Sequence, residues 1–188
     1  QVIQRYRGRV HVWHCGAGLN STTGLRFSEE QVVRISVDVI ETIRRVDSVT
    51  PVIISFDLPW GEYAAERRTD LSPLQFAEAL VRGDVGINGV GMELNFGNGS
   101  NECCLRDFLE INSLLMQWSR LQMPLVLSVS APNQTLDPMG DTSSQTLSAE
   151  EVADLLQILA SHSSTQGVLW NQLHDVPQRE ASIFTQDG

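Results

Sequence analysis

Apolar residues gather in five short runs, at residues 10–13, 52–56, 89–94, 124–129 and 167–173, each rich in branched or aromatic side chains and bounded by turn formers or a helical pattern. The runs read as apolar on both faces, which is expected of parallel strands covered on two sides. Between them the spacing becomes helical. After Ser28, Val32, Ile35, Val39, Ile40 and Ile43 recur on one face and leave Arg34, Asp38, Glu41 and Arg45 for water. Helix starts are signalled by Ser28 with Gln31, Ser72 with Pro73 and Gln75, and Ser148 with Glu151, in each of which a serine cap is answered three positions later by Gln or Glu. A fourth helix is predicted over 105–121, turning Phe108, Leu109, Leu115, Met116 and Trp118 toward a sheet.

Strand starts recur every 35 to 43 residues, the rhythm of repeated βαβ units, so the fold class is α/β with parallel strands alternating with helices in a single domain over 1–188. Periodicity leaves open a doubly wound sheet or part of a barrel; five strands and four helices are too few to close a (β/α)8 TIM barrel. The longest irregular piece is 131–147. In either architecture ligands meet the carboxyl ends of the strands, which directs attention to the segments 15–20, 57–63, 95–101, 130–133 and 174–178.

Composition narrows the partners. With 188 residues, 41% of them hydrophobic, the chain can bury one sizeable core, and no apolar run approaches the length needed to cross a bilayer, so no membrane role is expected. A formal charge of -10 argues against nucleic acid, whose phosphates call for clustered cations; neutral or cationic ligands fit better. Cys15, Cys103 and Cys104 are odd in number, and two are adjacent, so no disulfide framework is implied. The first residue is Gln, which points to further residues upstream.

Common chemical motifs are missing. His11 and His14 point to opposite faces of a strand, and His11 is separated from Cys15 by about 13 Å at ~3.3 Å per residue, so no metal site is expected from this cluster. The CGAG at 15–18 has neither the Gly-x-Gly-x-x-Gly form nor a P-loop ending, no Gly-x-Ser-x-Gly elbow occurs, and no cofactor is implied. Cys103 and Cys104 are expected to open a helix, where a thiol pKa can fall. Met92, Met116 and Trp118 read as core, and the pairs Arg44, Arg45 and Arg67, Arg68 as solvated faces.

The stretch YRGRVHVWHCGAGL, residues 6–19, resembles the fourth strand of family 10 glycoside hydrolases, the xylanase barrels, whose pattern runs Tyr-Lys-Gly-Lys-Val-x-x-Trp-Asp-Val-Val-Asn-Glu-Ala; Tyr6, Gly8, Val10 and Trp13 match without a gap. NGVGMELNF, MPLVLSVSA and GVLWNQLHD are similar to strands six, seven and eight. The resemblance implies the C-terminal part of a (β/α)8 TIM barrel, strands four to eight, with two open sheet edges and the first three units absent. It implies a saccharide partner and, by family habit, an extracellular or periplasmic location. It also implies lost chemistry, because the family's acid/base and nucleophile glutamates fall on Gly18 and Val129. The aligned Asn, Asp, His and Trp of the family fall on Ala17, His14, Asn95 and Asn171.

Polar and aromatic residues nonetheless crowd the expected mouth: Asp57, Trp60, Glu62 and Tyr63 after one strand, Glu93 and Asn95 on one face of the next, Asn171, and then His174 with Asp175. An aromatic plate beside carboxylates and amides is a sugar-binding chemistry. The chain is accordingly expected to be a carbohydrate-binding or non-catalytic scaffold. Alternatives are an active hydrolase with relocated carboxylates drawn from Asp57, Glu93 and Asp175, or an unrelated doubly wound domain.

Overall fold

The computed structural model describes residues 1–21, 27–62, 71–97, 102–130 and 147–171. All three serine caps form: the Ser28, Ser72 and Ser148 hydroxyls accept from the backbone N–H of Gln31, Gln75 and Glu151, whose side chains return the bond. They start helices α2 (Glu29–Val46), α3 (Pro73–Arg82) and α5 (Ala149–Ser161). Helix α4 (Phe108–Ser119) starts instead from Asp107, which accepts from Glu110 N at 2.8 Å. A short helix, α1 (Val2–Tyr6), precedes the first strand.

The strands β1 (Trp13–Cys15), β2 (Val52–Asp57), β3 (Gly89–Asn95), β4 (Leu125–Ser130) and β5 (Thr165–Trp170) form one parallel sheet in sequential order, the arrangement of a partial TIM barrel. Among the described residues β1 and β5 each pair with one neighbour, leaving the two open edges the family resemblance predicts. The first strand lies later than its apolar run. Its ladder begins where Trp13 N donates to Pro51 O, and the Trp13 indole donates to Asp47. That indole, with Thr50, holds the Asp47 carboxyl well below the usual carboxylate range.

One sheet face packs on the helices. Ile54, Phe56, Val90, Met92, Leu94, Leu127 and Val129 share a core with Ile40, Phe76, Leu80, Leu115 and Trp118. Phe56 is its hub, meeting Phe76 edge-on at 5.3 Å and Trp118 at 5.5 Å. Helix α4 buries Ile111, Leu114, Leu115 and Trp118, whereas Phe108, Leu109 and Met116 are exposed, contrary to the expected face. Leu109 and Met116, seven residues apart, share a flank of the helix outside the stripe of Ile111, Leu114, Leu115 and Trp118 that meets the sheet. On α2, Val39 is exposed and Ser36 takes the buried place, its hydroxyl donating to Val32 O.

Arg44 is no solvated charge. Its guanidinium donates to Gly86 O, Thr50 O and Asn88 Oδ1, fastening α2 to the loops that enter β2 and β3. Among the described residues no helix is long and apolar enough to cross a membrane.

Candidate functional site

The other face of the sheet differs from its sequence reading. Toward the carboxyl ends of β2, β3 and β4, alternate positions are polar: Ser55 and Asp57, Glu93 and Asn95, Ser128 and Ser130. Parallel pairing sets Asp57 beside Glu93, Glu93 beside Ser128, and Asn95 beside Ser130. Period-two geometry therefore brings all six to one face, opposite the helices.

These side chains form a hydrogen-bonded row with a direction. Ser128 Oγ donates to Asn171 Oδ1 at 2.8 Å, Asn171 Nδ2 to Ser130 Oγ at 2.9 Å, and Ser130 Oγ to Asn95 Oδ1 at 3.0 Å. Asn95 Nδ2 then donates to Asp57 Oδ1 at 3.4 Å, and Ser21 Oγ reaches Asp57 Oδ2 from the other side at 2.9 Å. Every donor along the row leads to the Asp57 carboxylate, a polarity in which each bond reinforces the next. Asn20 fixes this terminus by its backbone: Nδ2 donates to Asp57 O at 2.7 Å, and Oδ1 accepts from Asp57 N at 2.9 Å.

Burial raises the Asp57 pKa, the Ser21 hydrogen bond opposes the rise, and the neighbouring Glu93 charge adds to it. A carboxyl whose folded pKa exceeds its unfolded one stabilises the fold below the ordinary carboxylate range, and that contribution is lost as pH rises through the folded value. Asp57→Asn cannot ionise. Thermal melting from acid to neutral pH is expected to show wild type losing ground to this variant as pH rises, and parallel curves would refute the assignment.

A second cluster lies beside the row. His14 Nε2 is 2.5 Å from Ser55 Oγ and 3.9 Å from Glu93 Oε1. Gly91 makes room for it, since a Cβ there would fall 1.8 Å from Ser55 Oγ.

After Asp57 the chain turns abruptly at Leu58, whose φ of 47° is left-handed and costly for a bulky residue. The turn carries Trp60 away from the row. Trp60 is half-buried, its ring 6.4 Å from Phe96 and capped by the Arg106 guanidinium at 5.2 Å. Glu62 lies 3.7 Å from Arg106; burial raises its pKa and Arg106 opposes the rise.

The predicted site residues thus divide. Asp57, Glu93, Asn95 and Asn171 come together on the polar face, while Trp60 and Glu62 form a separate cluster with Arg106. Tyr63, His174 and Asp175, like Arg67 and Arg68, lie outside the described residues. Ser21 and Ser128 had no place in the sequence reading, and Asn20 and Ser130 fell within its strand-end segments without a role; for the two serines of β4 the signal was the alternation of small polar residues along an apolar strand.

Gly18 and Val129, the positions on which the resemblance would place the family's two glutamates, behave differently from each other. Gly18 adopts a φ of 69°, and a Cβ on it would lie 3.0 Å from Asp57 Oδ2, so Asp57 fills the space where that side chain would emerge. Val129 is fully buried in the helix-facing core, and its neighbours Ser128 and Ser130 carry the polar face.

The cysteine expectation is overturned: α4 starts at Phe108, Cys103 is buried and bridges to Phe96, and burial pushes its thiol pKa up. Cys15 is likewise buried, with its pKa raised by burial to about 11. Among the described residues no three His, Cys, Asp or Glu side chains converge as a metal site.

No family model and no curated protein matches the chain. Solved structures do. Xylanase 10B from Thermotoga petrophila RKU-1, in complex with xylobiose, aligns with a TM-score of 0.65 at 12% identity over 93% of this chain and 51% of its own. Xylanase B from Clostridium stercorarium F9 gives 0.63 at 14% identity over 99% and 59%. A GH10 endoxylanase from a sugarcane soil metagenome gives 0.60 at 16% over 98% and 60%. The chain therefore has the fold of a family 10 xylanase barrel and spans between half and three fifths of those chains.

Proposed function

We propose that this partial barrel of the family 10 xylanase fold holds a saccharide at its polar face and lacks the family's two catalytic glutamates. The observation that carries the reading is the hydrogen-bonded row from Ser128 to Asp57 at the carboxyl ends of the strands. It offers fixed donors and acceptors at the face on which barrel ligands bind. Amides and hydroxyls held in place in this way bind sugar hydroxyls through their remaining lone pairs and N–H groups at a reduced ordering cost. Xylobiose in the Thermotoga structure makes a xylo-oligosaccharide the first ligand to test, and the same likeness supports an extracellular setting.

Calorimetry with xylobiose is expected to give millimolar binding that Asn95→Ala, which breaks the row at its middle, weakens about tenfold, equivalent to ~1.4 kcal/mol. Absence of heat, or binding indifferent to Asn95→Ala, overturns the reading.

A second reading has its own support. Asp57 and Glu93 are cross-strand partners, and burial together with Glu93 raises the Asp57 pKa, as an acid paired with a base requires. On this reading the chain hydrolyses a glycoside through that pair. Reducing-sugar release that disappears in both Asp57→Asn and Glu93→Gln supports it; release that survives both dismisses it.

A further inference from the structure

On the helix side of the sheet, a groove of about 430 Å³ lies between α3 and α4, within the size range of small-molecule sites. It is separate from the polar row. One wall is apolar and rigid: the Trp60 indole with Pro59 and Pro73. The other is a stripe of α4, where Glu110, Ser113 and Gln117 recur at helical spacing above buried Leu114 and Trp118.

Among the described residues Glu110 is the one charged residue in the groove's lining, and it already has a cation beside it. Arg106 lies 3.4 Å from Glu110, 3.7 Å from Glu62 and over the Trp60 ring. An anion would meet Glu110, and a cation would have to displace Arg106 from it. A neutral ligand meets neither penalty. It needs an apolar face for the indole and prolines and hydroxyls for the carboxylate, hydroxyl and amide of α4, which is the pattern of a pyranose ring.

We propose that the groove between α3 and α4 is a second saccharide site, taking a neutral pyranose ring stacked on Trp60. The ring's C–H face lies on the part of the indole that Arg106 leaves uncovered, and its hydroxyls bond to Glu110, Ser113 and Gln117. Binding at this site is independent of the row at the strand ends.

Four tryptophans give four indole N–H signals, and Trp60→Phe identifies that of Trp60. Titrating the full chain with xylobiose is expected to move the Trp60 signal saturably in the millimolar range while the Trp13 signal, tied to Asp47, stays still. Ser113→Leu places a branched side chain in the groove from an exposed position, so it leaves the fold intact and weakens the Trp60 response at least about tenfold. Asn95→Ala leaves that response unchanged. No Trp60 shift, or a shift that persists in Ser113→Leu, overturns the groove site; so does a shift abolished by Asn95→Ala, which would assign the response to the strand-end row. Calorimetric binding lost in Asn95→Ala with no Trp60 response would fail the groove alone.

Discussion

Replacing Gly91 by alanine is expected to destabilise the protein by about 3 kcal/mol, the upper part of the range for overpacking a close-packed interior. The added Cβ would stand 1.8 Å from Ser55 Oγ, 2.9 Å from Ser55 Cβ and 3.2 Å from Ser55 Cα. Rotating the hydroxyl away is no remedy, because the Cβ contact remains and the bond to His14 Nε2 is forfeited. The conflict belongs to one neighbour, so it can be relieved there. In a Ser55→Gly background the closest remaining contact to Ser55 atoms is the Cα at 3.2 Å, and Gly91→Ala should cost less than about 1 kcal/mol relative to that background. Urea midpoints of the four proteins in this cycle measure the coupling. A Gly91→Ala protein as stable as wild type would show that the Ser55 hydroxyl does not occupy the space above the strand.

Gly91 also shows what the sequence could and could not disclose. The three serine caps were readable because a cap is local: a side chain and a backbone N–H three residues on settle the geometry between them. Parallel strands followed from the βαβ rhythm, but their sequential order came only with the family resemblance, since the rhythm alone also allows a doubly wound sheet. The polar face was harder. Ser55, Gly91, Ser128 and Ser130 are small enough to pass within apolar runs, and only pairing across β2, β3 and β4 reveals that they adjoin Asp57, Glu93 and Asn95. The place of Trp60 was hidden for a related reason. Nothing local announces that Leu58 turns left-handed and carries the indole to the helix side, away from the carboxylate three residues before it. Arg44 read as a surface charge because its partners Gly86 and Asn88 are more than forty residues distant in the chain.

Introducing a glutamate at position 18 is expected to cost about 3 kcal/mol and to confer no hydrolysis. Two costs combine. A φ of 69° charges any residue with a Cβ roughly 1–2 kcal/mol, and the new side chain would start 3.0 Å from Asp57 Oδ2, adding a steric conflict and a second negative charge. Removing Asp57 separates these terms. In an Asp57→Ala background Gly18→Glu should retain the backbone cost and shed the rest, so denaturation midpoints give a coupling of about 1–2 kcal/mol between positions 18 and 57. Additive effects would mean that Asp57 does not occupy the room a side chain at position 18 would need. Activity should stay absent in both backgrounds on the saccharide-holding reading, because a retaining hydrolase needs a second carboxylate facing the first across the sugar. A glutamate at 129 could not supply it from its present place: Val129 is fully buried among the residues packed on the helices. Ser128 and Ser130 face the row, and a carboxylate introduced on β4 would have to stand at one of them, at the expense of its bonds to Asn171 and Asn95. On the saccharide-holding reading, the row that would engage sugar hydroxyls thus occupies the positions on β4 from which a second carboxylate would have to act.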